Sequence, residues 1–75
     1  MQRQFESQLK DLKSRILAMG GFVEQAIDRA TEALQQRDVT KLAEVHPLEA
    51  QINQAHVDVD KACLEILARL SPVAA

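Results

Sequence analysis

Aromatic residues and cysteine are scarce in this chain of 75 residues. The chain has no tryptophan and no tyrosine, and Phe5 and Phe22 are its only two aromatic side chains. Aromatic rings are the usual stacking platforms for bases and sugars, so a binding site for either class of ligand is disfavoured. The single cysteine, Cys63, excludes an internal disulfide framework. On a helical stripe a lone thiol acts as a small buried hydrophobe, which fits a reduced, intracellular protein.

Strong charge of one sign and long apolar runs are also missing. Nine basic against eleven acidic side chains give a net charge of -2, far from the basic footprint of nucleic-acid-binding proteins. No apolar run approaches the ~20 residues of a membrane span, and the N-terminus has no apolar core like that of a signal peptide. We therefore expect a cytoplasmic protein with no nucleic-acid partner and no membrane span.

What the chain does contain is apolar residues spaced by three and four. In the second half this spacing predicts one stripe of a long α-helix that packs on another helix. The stripe comprises Leu42, Val45, Glu49, Ile52, His56, Val59, Cys63, Ile66 and Leu70. Glu49 and His56 are its two polar positions.

A similar stripe in the first half predicts a second long helix. It comprises Phe5, Leu9, Leu12, Ile16, Met19, Val23, Ile27, Ala30 and Leu34. Residues 35–40 break the pattern, and Asp38 or Thr40 can cap the helix that follows. So short a connection places the two helices antiparallel. We predict an all-α helical hairpin, a single domain over residues 1–75, with helix one about 3–36 and helix two about 39–70.

Two features interrupt the helical pattern. Gly20 and Gly21 lie inside helix one, where each glycine costs about 1 kcal/mol relative to alanine. We expect a kink or a close helix contact there, and the functional alternative is a place where the backbone of a partner approaches. Pro47 either kinks helix two or occupies the first position of a helix that restarts after a short helical turn.

A hairpin of two such helices leaves apolar surface uncovered, because each stripe is wider than one neighbour hides. We therefore expect two hairpins to pair as a two-fold homodimer, an antiparallel four-helix bundle. The predicted interface residues are Leu12, Ile16, Met19, Val23, Ile27, Leu42, Val45, Ile52, Val59, Cys63, Ile66 and Leu70.

Polar residues on the same helices are candidates for a divalent metal, since carboxylates and histidine on facing helices can ligate one. The candidates are Glu49, His56 and Asp60 of helix two, with Glu24 and Asp28 approaching from helix one. No Glu-x-x-His repeat supports them, so we expect no cofactor. Alternatively, Glu49 and His56 set the register of the bundle, or they lie at its edge and are exposed to solvent. A protonated His56 in that position would weaken association at low pH.

Signatures of catalysis are missing from the sequence. No nucleophile is paired with a base, and no glycine-rich phosphate loop is present. We expect no enzymatic activity.

Three blocks of the sequence carry a family resemblance. They are residues 19–27 (MGGFVEQAI), residues 38–43 (DVTKLA) and residues 62–69 (ACLEILAR) followed by 72–74 (PVA). In this order they resemble the N-terminal segment of PhoU proteins, the phosphate-uptake regulators. Two positions depart from the family pattern: His56 stands where an acidic residue is usual, and His46-Pro47 interrupts a continuous aliphatic and polar stretch.

The resemblance implies a cytosolic negative regulator that couples a phosphate-specific ABC transporter to a sensor histidine kinase. Family members are typically two tandem three-helix bundles, and this chain resembles the first two helices of one bundle. Ser71-Pro72 is a helix-start signal, so we expect residues 71–75 to be the truncated start of the third helix. The family's metal-cluster signature, Glu-x-x-x-Asp, lies on that third helix, so its iron or zinc clusters are not carried over here.

The sequence thus favours a non-enzymatic regulatory or adaptor protein that resembles PhoU. Two alternatives remain: a generic helical homodimerisation module without a role in phosphate uptake, and a small metal-binding helical bundle.

Overall fold

The computed structural model describes residues 2–70 of the chain. Two long helices are joined through a short one: α1 spans Gln2–Gln36, α2 Val39–Ala43 and α3 Val45–Leu70. α1 and α3 run antiparallel, since Phe5 lies beside Leu70 near the chain termini and Arg15, further along α1, lies beside Asp58 and Lys61. The predicted all-α helical hairpin is therefore confirmed. The predicted start of a third helix, residues 71–75, lies outside the described residues.

α1 ends in a left-handed residue that reverses the chain. Arg37 has φ 53°. Its N–H donates to the carbonyl of Leu34 at 3.3 Å, and the N–H of Asp38 donates to the carbonyl of Ala33 at 2.9 Å. This pair of bonds is a Schellman motif, which satisfies carbonyls that the helix end leaves free. Glycine is the usual residue at this position, so arginine here carries a conformational cost of roughly 1 kcal/mol.

Asp38 caps the next helix, α2. Its carboxylate accepts hydrogen bonds from the backbone N–H of Thr40, at 3.0 Å, and from the Thr40 hydroxyl. The hydroxyl of Thr40, and then its backbone N–H, hold the pKa of the Asp38 carboxyl below its usual value. Of the two predicted capping residues, the cap is thus Asp38. Lys41 Nζ lies 3.6 Å from Glu32 Oε2, an ion pair that ties α2 to α1.

Helix two is divided near Pro47. α2 ends at Ala43, Glu44 forms a turn, and α3 begins at Val45, so Pro47 is the third residue of the restarted helix. The N–H groups of a helix's first turn have no partners within the helix, so proline removes no hydrogen bond there. Of the two alternatives at Pro47, the restart after a short helix describes this segment, with Pro47 in the third helical position instead of the first, and α2 with α3 occupy the predicted range 39–70.

The paired helices form a layer that is one helix thick. The principal extents of the chain trace are 57 × 22 × 12 Å. Among the residues that the structure describes, Ala33 and Ile66 are the buried apolar side chains, 5% and 7% exposed. The hairpin therefore has a contact seam but almost no interior. None of its helices is both long and apolar enough to cross a lipid bilayer, over the range that the structure describes.

Candidate functional site

The seam between α1 and α3 uses one edge of each predicted stripe. On α3 the shared residues are Val45, Ile52, Val59 and Ile66, spaced by seven. Cys63 of the stripe is half-buried as well. Leu48, Ala55 and Ala62, which lie outside the stripe, are also half-buried, and Leu48 and Ala55 each lie one position before a predicted polar residue, Glu49 and His56. On α1 the buried or half-buried residues are Phe5, Gln8, Leu12, Met19, Gly21, Phe22, Ala26, Ala30, Glu32 and Ala33. The helices thus contact through smaller side chains than the stripes suggested.

The other edge of the α1 stripe faces solvent as a line of apolar side chains, which exposed apolar residues of α2 and α3 join at its two ends; we call this surface the open face. Its members are Leu9, Ile16, Val23, Ile27 and Leu34 on α1, Leu42 on α2, and Leu67 and Leu70 on α3. Their side chains are between 37% and 77% exposed. Because helical residues three, four and seven apart share a side, the α1 members form a single line along the hairpin.

Two shallow grooves mark the ends of the open face. Near the chain termini, an entirely apolar groove of about 310 Å³ is lined by Phe5, Leu9, Leu12, Cys63, Ile66, Leu67 and Leu70. Near the turn, a second groove of about 320 Å³ is lined by Ala33, Leu34, Arg37, Asp38, Val39 and Leu42. Apolar surface of this extent on a small protein marks a site of contact with another protein element.

The predicted interface residues divide between the seam and the open face. Ile66 is buried, and Leu12, Met19, Val45, Ile52, Val59 and Cys63 are half-buried within the hairpin. Ile16, Val23, Ile27, Leu42 and Leu70 are exposed. The exposed group is the part available to another chain.

Glu49 and His56 lie at the edge of the seam, exposed to solvent. His56 Nδ1 is 3.8 Å from Asp60 Oδ2, one turn along α3, and both side chains are 66% exposed. Such an exposed pair contributes little to stability. Two structural roles were predicted for Glu49 and His56: setting the register of the bundle, or lying exposed to solvent at its edge. The second describes their surroundings within the hairpin.

The five metal candidates do not form a cluster in this structure. Among Glu24, Asp28, Glu49, His56 and Asp60, His56 and Asp60 are the two that lie near each other, with Nδ1 and Oδ2 3.8 Å apart. Across residues 2–70, no group of three or more histidine, cysteine or acidic side chains is close enough to hold a metal ion.

The opposite face of the hairpin is polar. Arg15, Asp58, Lys61 and Glu65 line a shallow depression there, with Ala62 at its base. Arg15 Nε donates to Asp11 Oδ2 at 2.9 Å, and this hydrogen bond, followed by the charge of Asp11, raises the pKa of Arg15. Basic and acidic groups balance in this depression, so it has no preference for an anion or a cation.

Two features of the hairpin were not predicted from the sequence. The ion pair of Lys41 with Glu32 joins residues nine apart in different helices, a spacing that no single-helix rule predicts. The alanines of the seam, Ala26 and Ala33 on α1 with Ala55 and Ala62 on α3, each repeat at a spacing of seven. The repeat of alanines could have indicated the seam, since small residues allow two helices to approach closely.

A one-layer hairpin of helices with an exposed apolar line along α1 belongs to the class of all-α helical proteins. The PhoU domain family model matches residues 16–75, and the chain belongs to this family.

Relatives cover nearly the whole chain. A phosphate-specific transport system accessory protein PhoU homolog of Pseudomonas aeruginosa PAO1 is 40% identical over 72 residues, 96% of this chain and 30% of its own length. PhoU of Escherichia coli K12, of the same description, is 31% identical over 71 residues, 95% of this chain and 30% of its own. The Aquifex aeolicus homolog is 33% identical over 67 residues, 89% of this chain and 30% of its own.

The chain therefore spans about 30% of the length of these curated relatives. No solved structure matches it.

Proposed function

We propose that this chain is a non-enzymatic regulatory module of phosphate uptake that acts in the cytoplasm through protein–protein contacts at its open face. Its partners in this role are the components that the family resemblance implies, a phosphate ABC transporter and a sensor histidine kinase. The observation that carries the proposal is the exposed apolar line on α1 in a chain of the PhoU domain family.

Two further observations support a binding role over a catalytic one. The relatives are described as accessory proteins of a phosphate-specific transport system, which is a supporting role beside a transporter. The groove of the open face near the chain termini is lined by apolar side chains and Cys63, a surface that buries well against another helix.

A substitution on the open face tests the proposal in the native host. Ile27→Glu places a charge on a side chain that is 60% exposed on the open face, and Leu17→Glu does the same to one that is 66% exposed elsewhere on α1. We expect Ile27→Glu to raise phosphate uptake in phosphate-rich medium to the level of a strain that lacks the gene. Leu17→Glu should leave uptake at the wild-type rate.

Uptake of labelled phosphate is the measurement, with the amount of each variant checked by immunoblot. If the two variants behave alike, the open face is not the functional surface. Unchanged uptake in the strain that lacks the gene would remove the regulatory role itself.

The second candidate function is homodimerisation, and the dimensions of the hairpin favour it. A layer one helix thick gains a proper core when two copies lie face to face as a four-helix bundle. We propose this pairing as the form in which the chain is stable, and sedimentation of a single species at monomer mass would contradict it.

We propose no resident metal. The carboxylates and His56 named above are spread over the surface of α1 and α3, and a divalent ion needs several ligands converging on one point. Elemental analysis of protein purified without chelator, showing one metal per chain, would overturn this.

A further inference from the structure

The short helix α2 is attached to the rest of the hairpin by few contacts. None of its five residues is buried, and Lys41 alone among them is half-buried. Val39 is 77% exposed and Leu42 is 48% exposed. Isolated helices shorter than about 12 residues are marginal in water, so α2 depends on what holds it from outside.

The bonds that hold α2 are open to solvent and weak. The carboxylate of Asp38 accepts from the N–H of Thr40 at 3.0 Å, and the carbonyl of Asp38 accepts from the N–H of Leu42 at 3.4 Å, which is long for such a bond. Lys41 Nζ lies 3.6 Å from Glu32 Oε2 on α1, and these two side chains are 32% and 42% exposed. An exposed ion pair of this kind changes an equilibrium by about threefold.

α2 is also separate from α3. Glu44 forms a turn, and its N–H donates to the carbonyl of Lys41 at 3.1 Å. A helix that ran without a break from α2 into α3 would contain Pro47, which has no N–H to donate to the carbonyl of Ala43. Over Val39–Ala43, α2 contributes no buried or half-buried apolar side chain to the seam between α1 and α3. Loss of α2 therefore leaves that seam in place.

From these observations we infer that α2 is a latch, a segment that opens from α1 and closes on it while α1 and α3 stay paired, and that the ion pair of Lys41 with Glu32 holds it closed. Elements with few buried contacts are the ones that open locally in folded proteins. In the closed form Val39 and Leu42 line the groove near the turn. Opening removes these two side chains from the groove, so the latch sets the shape of the open face at its turn end.

Amide hydrogen exchange of the wild-type chain, followed by NMR, measures this opening residue by residue. The N–H groups of Leu42 and Glu44 should have protection factors at least about tenfold lower than those of Ile52 and Val59 in the middle of α3. Equal protection at the two places would show that α2 opens only when the whole hairpin unfolds, and the latch would be excluded.

Charge removal tests what holds the latch closed. Lys41→Gln and Glu32→Gln each remove one partner of the ion pair, and each should lower the protection factor of Leu42 about threefold while leaving that of Ile52 unchanged. Lys61→Gln removes the same charge from the polar side of α3 and should change neither. A loss that is equal at Leu42 and Ile52 would mean that the pair stabilises the whole hairpin. An effect of Lys41→Gln without one of Glu32→Gln would exclude the pair as the contact.

This motion is independent of the proposed function. The exchange measurement needs no partner, so it decides on the latch whichever way phosphate uptake responds to Ile27→Glu. Conversely, a latch that is excluded by exchange leaves the open face and its test in the native host untouched.

Discussion

Arg37 is the described non-glycine residue that adopts a positive φ, 53°, and it does so where α1 must reverse toward α2. The backbone bonds around it, from Arg37 to Leu34 and from Asp38 to Ala33, fix the reversal. A side-chain carbon in this conformation crowds the following carbonyl, which glycine avoids. Arg37 thus lowers the free energy of unfolding of the hairpin, at the residue where the chain reverses.

Replacing Arg37 by glycine should therefore stabilise the hairpin by about 0.5–1 kcal/mol. Arg37→Ala is the control, because it removes the same charge and stem while keeping the side-chain carbon, and we expect no gain from it. Urea denaturation of both variants at one protein concentration makes the comparison. Equal stability of the glycine and alanine variants would show that the left-handed conformation carries no cost here.

At the scale of elements, α2 depends on its cap. It is a helix of five residues, and the Asp38 carboxylate supplies hydrogen bonds that the first turn otherwise lacks. The pKa of that carboxyl is lowered in the folded state by the Thr40 hydroxyl and N–H. A lowered pKa means that the folded state favours the ionised form, so the contribution is complete above the unfolded value, near pH 4, and is lost as pH falls through the folded pKa.

We expect the melting temperature of the wild-type chain to fall as pH is lowered from about 6 to about 2.5, with part of that fall due to Asp38. Asp38→Asn keeps a capping oxygen but does not titrate, so it should show a smaller fall over that range. Asp38→Ala should lower the melting temperature by a few degrees even at neutral pH. Parallel falls in the wild-type chain and Asp38→Asn would exclude Asp38 as the source.

The sequence predicted both long helices, gave Asp38 or Thr40 as the cap, and left the division of helix two as one of two alternatives at Pro47. The apolar spacing of three and four is continuous from Leu42 to Leu70, so it carries no sign that Glu44 is a turn. Pro47 was the local signal, and its effect depends on where the restarted helix begins, which the packing of α2 against α1 decides. The ion pair of Lys41 with Glu32 belongs to that packing.

The apolar stripes also do not determine which of their residues form the seam between α1 and α3. On α3 both Leu48 and Glu49 follow Val45 at a helical spacing, and both Ala55 and His56 follow Ile52. The hairpin takes Leu48 and Ala55, which leaves Glu49 and His56 outside and turns a line of leucine and isoleucine on α1 toward solvent. Sequence periodicity gives the width of an apolar stripe, and only the neighbouring helix determines which edge it covers.

At the scale of the whole molecule, stability depends on what covers the open face. A chain of this size buries only about 60% of its unfolded surface even in a compact fold, and a layer one helix thick buries less. If two copies cover each other, folding is coupled to association, and protein concentration enters the equilibrium.

The melting temperature should therefore rise with protein concentration, by several degrees between about 5 µM and about 500 µM. Ile27→Glu should melt lower and lose this dependence, whereas Leu17→Glu should keep it. Circular dichroism at 222 nm in cells of different path length follows both. A melting temperature that is constant over this range would show that the hairpin is stable without a second copy.

The scarcity of buried side chains has a consequence for the lifetime of the protein in the cell. With only Ala33 and Ile66 buried among the described residues, an unpartnered hairpin presents to proteases and chaperones an apolar surface of the kind by which they recognise unfolded chains. Its survival then depends on how quickly a partner is found. Synthesis in excess of its partners ends in degradation, so the abundance of this protein is set by the supply of the surface that covers it.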